Sequence, residues 1–264
     1  MTPDRGRKAS SFLPVFQGRQ KLVETVMVVP RMTILVFFVV FGARTIIPQQ
    51  WTVSAQPVSP CEGRRRQRRP WRSLSCNEQQ DFLEAVRRLK QSGRYDAITR
   101  IHEATGDLAH ATDAFFPWHR WYLYVFEQEL QAVMGGRCDI TVPYWDWERV
   151  DDSFDTIFQS DTFGRINRGS GGGGCVEDGL ASRDAGWGRP VDGSCVRREF
   201  DPDIDVTREV EVLSRITQAR NFEELWLAME GSPHAGVHNH VGGSMRRNFS
   251  PDDPIFWLHQ YVFI

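Results

Sequence analysis

A mostly α-helical fold with long loops and few short strands is what this sequence predicts, and three observations carry the prediction. Apolar residues recur at helical steps, most clearly at His119, Leu123, Phe126, Leu130 and Val133, which share one face of an amphipathic helix. Helix-start signals stand where such segments begin: Ser75-x-x-Glu78 as a capping box, Pro117 and Pro254 at first helical positions. Between residues 151 and 200 the chain is loop-like, with Gly169–Gly174 nearly pure glycine and without core-forming side chains.

The chain has 264 residues, a net charge of −2, 25% charged and 12% aromatic residues, the profile of a soluble globular protein of one large or two small domains. The near-neutral balance gives no reason to expect nucleic acid. Residues 1–31 read as a disordered upstream extension of the gene, and 32–55 as a signal peptide. Its apolar core, Thr33–Phe41, is too short to span a bilayer, and Val53-Ser54-Ala55 supplies small residues for cleavage. An uncleaved membrane anchor over 33–47 is the alternative. On the signal-peptide reading the protein is secreted or enters the secretory lumen, without stable membrane association, and peptides from residues 5–30 in the mature protein would contradict the upstream extension. Residues 56–74 form an Arg-rich linker, read as solvated and flexible, with a proteolytic processing site as the other reading. The folded domain is expected over 75–264.

Within it, a helix after Ser75 buries Phe82, Val86 and Leu89 and stops at Gly93. A second runs from about Tyr95 to Thr105, carries His102 and ends at Gly106. The third starts near Pro117 and stops near Gly135-Gly136. Thr141–Trp147 is aromatic-rich and extended. Helices follow over about 208–219 and 221–230, the latter with Phe222, Leu225, Trp226 and Met229 on its apolar face. Ser232-Pro233 caps a short helix bearing His234 and His238, closed by Gly242-Gly243, and Asp252-Asp253-Pro254 starts the last one. Five cysteines in an exported chain argue for disulfides with one thiol left over: Cys175–Cys195 first, then Cys61–Cys76, leaving Cys138 free, although the sequence does not settle the pairing.

A lone histidine on an apolar face is ordinarily a core residue hydrogen-bonded to backbone. Six histidines in two groups change that balance. His102, His110 and His119 form one, and His234, His238 and His259 the other, with His234 and His238 at i, i+4 on one helical face. His240 lies about 200° round the helix from His238 and reads as exposed. Imidazoles without carboxylate or thiolate ligands suit copper, zinc, iron or nickel, not magnesium or calcium.

These residues resemble the central domain of tyrosinases, the type-3 copper proteins that also include catechol oxidases and haemocyanins. The first copper signature is present as His110, Phe115, Trp118-His119-Arg120, Leu123 and Glu127, with eight residues between His110 and His119 and His102 upstream. The second begins Glu230-x-x-x-His234-x-x-x-His238 and continues through Gly242-Gly243, Met245 and Ser250-Pro251-x-Asp253-Pro254-x-Phe256, and Pro143-Tyr-Trp-Asp-Trp147 is a further landmark. The resemblance covers about residues 70–260. It implies a four-helix-bundle core around a dinuclear copper site. His102, His110 and His119 would hold one copper, and His234 and His238 would supply two ligands of the second. Glu230 matches the acidic residue that orients a water and takes the phenol proton in some members, against a plain reading as an exposed helix-end charge. The partners implied are a small phenol and dioxygen, and the reaction is oxidation of o-diphenols, with hydroxylation of monophenols as the added possibility. A dioxygen carrier of the haemocyanin type, which would cover its coppers with a further domain, and an inactive single-copper fragment are the alternatives.

The sequence departs from the family in three places. Where the family has two successive histidines, the second a copper ligand, this chain has His259-Gln260, so the ligand position holds glutamine. His259 as a substitute would lie about 100° round the helix. An aspartate four residues beyond, which commonly pairs with the arginine at Arg120, is replaced by Ile264. Gln-Tyr-Val can be encoded as CA-GTACGT, which contains a splice donor, so the ending reads as an intron joined to an exon, with histidine at 260 in the spliced product. Finally, Ala235 stands where many hydroxylating members carry asparagine, which favours diphenol oxidation over monophenol hydroxylation. Leu108, two residues before His110, excludes the cysteine–histidine thioether of some relatives, and the sequon Asn248-Phe-Ser250 is disfavoured by Pro251 and by its closeness to the site.

Overall fold

A computed structural model describes residues 61, 63, 65–147, 156–165, 174–201, 214 and 216–264, all within one compact unit. The expected extension and signal peptide over 1–55 lie outside these residues, as does most of the helix expected over 208–219.

Helix α1, Cys76–Gln91, opens on the predicted capping box: Ser75 accepts the Glu78 N–H while the Glu78 carboxylate takes the Ser75 N–H at 2.8 Å. It buries Phe82, Leu83, Ala85, Val86 and Leu89. Gly93, at φ 75°, turns the chain directly into α2, Arg94–Ala109. Gly106 therefore does not end α2, as the sequence suggested; it lies inside. A Cβ there would come within 3.2 Å of the Asn248 side chain, so the glycine serves close approach of another segment. Helix α3, Phe115–Val133, starts two residues before Pro117 and ends at Gly135 and Gly136, both at positive φ.

Helix α4, Phe222–Met229, is capped by the Asn221 side chain, which accepts the Glu224 N–H at 2.9 Å. Of its expected apolar face, Trp226 is buried and Phe222 is half exposed. A π-type turn over Glu230–His234, broken at Ser232, leads into α5, Ala235–Val241. Gly242 and Gly243, both at positive φ, let residues 197–201 lie against the end of α5, where Glu199 N–H reaches Val241 O at 2.9 Å and Ser244 N–H reaches Arg197 O at 2.8 Å. Helix α6, Ile255–Gln260, is buried at every position.

The first three helices pack on one another and α6 packs on α3, with the Phe126 and Trp257 rings stacked 3.7 Å apart. Trp257 Nε1–H donates to the Tyr95 hydroxyl at 3.0 Å, which donates to Pro251 O at 2.6 Å, so the polar edges of these two rings are satisfied. Arg198 and Asp253 form a buried bidentate pair at 2.8 and 2.9 Å, and Arg198 also donates to the carbonyls of Gly164 and Phe163. Asp253 accepts the Ile255 N–H at 3.1 Å as well, which fixes the start of α6. Among the described residues the β-structure amounts to isolated bridges, including Pro70 with Tyr144 in the aromatic-rich extended segment.

Two expectations need correction. The disulfides are Cys175–Cys195, as expected, and Cys61–Cys138, with Cα atoms 5.2 Å apart; Cys76 is the free thiol, exposed at the start of α1. The reason lies in the Arg-rich segment, whose described part is largely exposed, as expected, but pinned by ion pairs. Arg66 and Arg68 both donate to the fully buried Glu127 of α3, at 2.9 Å and at 3.1 to 3.2 Å. Glu127 takes the Val142 N–H too, at 3.1 Å. This clasp lays the segment along α3 and brings Cys61 to the turn that follows it.

Candidate metal centre

Helices α2 and α3, with the loop between them, converge three imidazoles. His102, His110 and His119 each offer a ring nitrogen within 4.8 Å of the others. In each ring Nδ1–H donates to a backbone carbonyl: Asn248 O at 2.7 Å, Gly106 O at 3.0 Å and Phe115 O at 2.8 Å. A proton held on Nδ1 leaves the Nε2 lone pair free. Nε2 of His102 and of His119 is buried without any hydrogen-bond partner. Two orphaned buried acceptors beside a third convergent one are costly unless an ion satisfies them. Burial pushes the His102 pKa down to about 3 and that of His119 well below the ordinary value, so both rings are neutral, the form that binds metal. This triad fits an imidazole-preferring metal.

The second group comes from α5 and α6. His234, His238 and His259 also offer one ring nitrogen each within 4.8 Å, and His234 faces the first triad, its ring 6.2 Å from His119 and 6.5 Å from His110. His238 repeats the pattern of the first triad, with Nδ1–H donating to Met245 O at 2.7 Å. The other two rings do not. His259 uses Nε2–H on the His234 carbonyl at 3.2 Å, and His234 Nδ1 is buried without a partner. The amide nitrogen of Gln260, fully buried, lies 2.7 Å from His234 Nε2 and 3.1 Å from His238 Nε2. As arranged, Nε2 of His234 and Nε2 of His238 meet an amide, which an ion would have to displace, while the three rings still converge closely enough to hold one. Burial lowers the His238 pKa to about 4 and those of His234 and His259 well below the ordinary value, again giving neutral rings.

Both groups border one open cavity of about 210 Å³, lined by His102, His110, His234, His238 and Glu230 with Asn239, Arg246 and Arg247 at its mouth. Glu230 is half-buried, and its carboxylate accepts the Ala111 N–H at 2.8 Å. Ala111, next to His110, is the non-glycine residue at positive φ, 54°, among the described residues. Glu230 therefore tethers a strained backbone beside a candidate ligand. Burial raises its pKa, opposed by the Ala111 bond. Arg246 is tied back to Asn239 O at 2.8 Å, whereas Arg247 is exposed and has no side-chain partner among the described residues.

Arg120, whose family partner is replaced by Ile264, is exposed beside an apolar pocket formed with Phe116, Phe222 and Phe263, so it carries no burial cost. His240, expected to be exposed, is half-buried; its Nδ1–H donates to Asp201 O at 2.8 Å, and it belongs to neither triad. Sequence reasoning missed Asn248 as the carbonyl that orients His102. No local signal marks a backbone acceptor 146 residues away.

Residues 92–261 match the family profile described as the common central domain of tyrosinase. The tyrosinase of Streptomyces antibioticus is 33% identical over 71% of this chain and 76% of its own length. That of Streptomyces glaucescens is 34% identical over the same shares, and grixazone synthase of Streptomyces griseus is 28% identical over 71% of this chain and 78% of its own. A helical fold that gathers two histidine triads at one cavity agrees with these likenesses: the chain belongs to the tyrosinase family of copper oxidoreductases.

Proposed function

We propose that the histidine cavity binds copper and oxidises o-diphenols to o-quinones with dioxygen. The observation that supports this most is the pair of buried imidazole triads facing one another across a cavity open to a small phenol. His102, His110 and His119 would hold one copper, a donor set of neutral nitrogens suited to it. His234 and His238 would supply two ligands of a second, with His259 as the third nitrogen in reach. Copper supplies the redox chemistry with dioxygen when bound.

The chain's own residues do the rest. Backbone carbonyls fix the tautomer and direction of each ring in the first triad, and the buried rings of Phe115 and Phe256, packed on His119 and His102, shield it from water behind. Glu230, facing the cavity with a raised pKa, is placed to take a phenol proton. Ala235, which also lines the cavity, has no polar group to orient a water, so diphenol oxidation is favoured over monophenol hydroxylation. The free guanidinium of Arg247 at the mouth suits a phenol carrying a carboxylate. The two disulfides fit an oxidising compartment, and secretion is the corresponding proposal. Among the described residues no helix is long and apolar enough to cross a membrane.

Oxygen uptake by the copper-reconstituted chain tests the reading. Turnover of L-DOPA well above that of tyrosine is expected. Reversible dioxygen binding without turnover would make the protein a carrier instead, and copper binding with neither would remove the oxidase reading.

A further inference from the structure

The polar group between His234 and His238 has to be a donor. His238 spends its only ring proton on Met245 O, so its Nε2 presents a lone pair. Of the two ends of the Gln260 amide, only the nitrogen can face that lone pair, and it carries two N–H bonds. One reaches His238 Nε2 at 3.1 Å and the other His234 Nε2 at 2.7 Å. An uncharged N–H pair thus sits where both nitrogens would meet an ion, and it satisfies them as an ion would.

The arrangement is not sealed. Gln260 Oε1 and His234 Nδ1 are both buried without partners, so the amide is retained by two hydrogen bonds and opposed by two unsatisfied atoms. Gln260 is the last residue of α6, followed by Tyr261. No comparable group stands between the nitrogens of the first triad, where two Nε2 atoms are without any partner.

We propose that the Gln260 carboxamide is an internal surrogate for the second metal, competing with copper for His234 and His238, so that the chain fills its two triads in order: His102, His110 and His119 first, the second triad only as the amide withdraws. This rests on the reading of the centre as a copper site. The competition belongs to residue 260 itself, independent of the phenol.

Copper titration of the metal-free full chain, followed by calorimetry and by metal analysis after dialysis, tests it. Two hydrogen bonds in competition should weaken the second site roughly tenfold or more. The wild type is then expected to take one copper tightly and a second in a separate, weaker step. Gln260→Ala removes the competitor and Gln260→His replaces it with a ligand. Both should strengthen the second step, with Gln260→His bringing the two together. His102→Ala should abolish the tight step alone. Two equal affinities in the wild type, or a second step unmoved in both Gln260 variants, would overturn the surrogate role. No copper at either triad would overturn both this and the copper reading. Two coppers in Gln260→His without diphenol oxidation would remove the oxidase reading and leave the surrogate standing.

Discussion

Asn248 and Gly106 show how a single backbone contact can set a ligand. The Asn248 carbonyl holds His102 Nδ1–H, and its side chain rests over Gly106 on α2. Gly106→Ala should gain up to about 1 kcal/mol of helix propensity in the metal-free chain, since the exposed Asn248 side chain is free to shift. The same shift draws the carbonyl from His102, so first-site copper affinity should fall; thermal melts with and without copper read both effects. Glu230 separates in a similar way. Glu230→Gln keeps an acceptor for Ala111 and should leave the fold intact while slowing turnover of monophenols more than diphenols. Glu230→Ala also frees the Ala111 N–H and should cost roughly 1 kcal/mol and loosen His110. At this scale the spacing of the histidines was readable because helical geometry is local. Asn248 and Arg198 were not, because their roles exist only once distant segments meet.

Among the elements, α6 depends on the residues just before it. The buried Arg198–Asp253 pair fixes its first turn, so Arg198→Ala should destabilise the chain by about 3–5 kcal/mol, leaving Asp253 charged and buried. Neighbouring Asp252 has its pKa raised to about 6, chiefly by burial, with a hydrogen bond from Thr99 and then Arg189 at 3.3 Å as partial counterweights. An unfolded aspartate titrates near 3.9. Between about pH 4 and 6 the folded chain therefore holds a proton the unfolded chain has lost, and this group makes stability fall as pH rises through that window. Asp252→Asn should flatten that part of the stability profile in denaturant titrations; an unchanged slope would show that Asp252 does not titrate there. The capping box of α1 and the glycines closing α3 were legible as local signals. The extent of α2 past Gly106 was not, because Gly106 answers to packing against Asn248 and not to helix termination.

On the scale of the whole molecule, the clasp of Arg66 and Arg68 on Glu127 joins the N-terminal segment to α3, and the Cys61–Cys138 bridge secures it. Cys138→Ser should cost about 2–4 kcal/mol. A thiol reagent should find one cysteine, Cys76, in the folded chain, and two in this variant once it is unfolded, since Cys61 is buried. The mostly α architecture and both histidine groups followed from the sequence. The disulfide partner of Cys61 did not, because sequence proximity to Cys76 counted for less than the burial of a carboxylate that needed two arginines.

That pairing also bears on how the metal arrives. Cysteine sulfur is a softer ligand than imidazole and outcompetes it for copper in its reduced state. Before oxidation the chain offers five thiols to incoming copper, and after it Cys76 alone remains. Bridge closure would thus clear the decoys, and on the copper reading the oxidised chain should load its histidines more selectively than the reduced one in copper titrations.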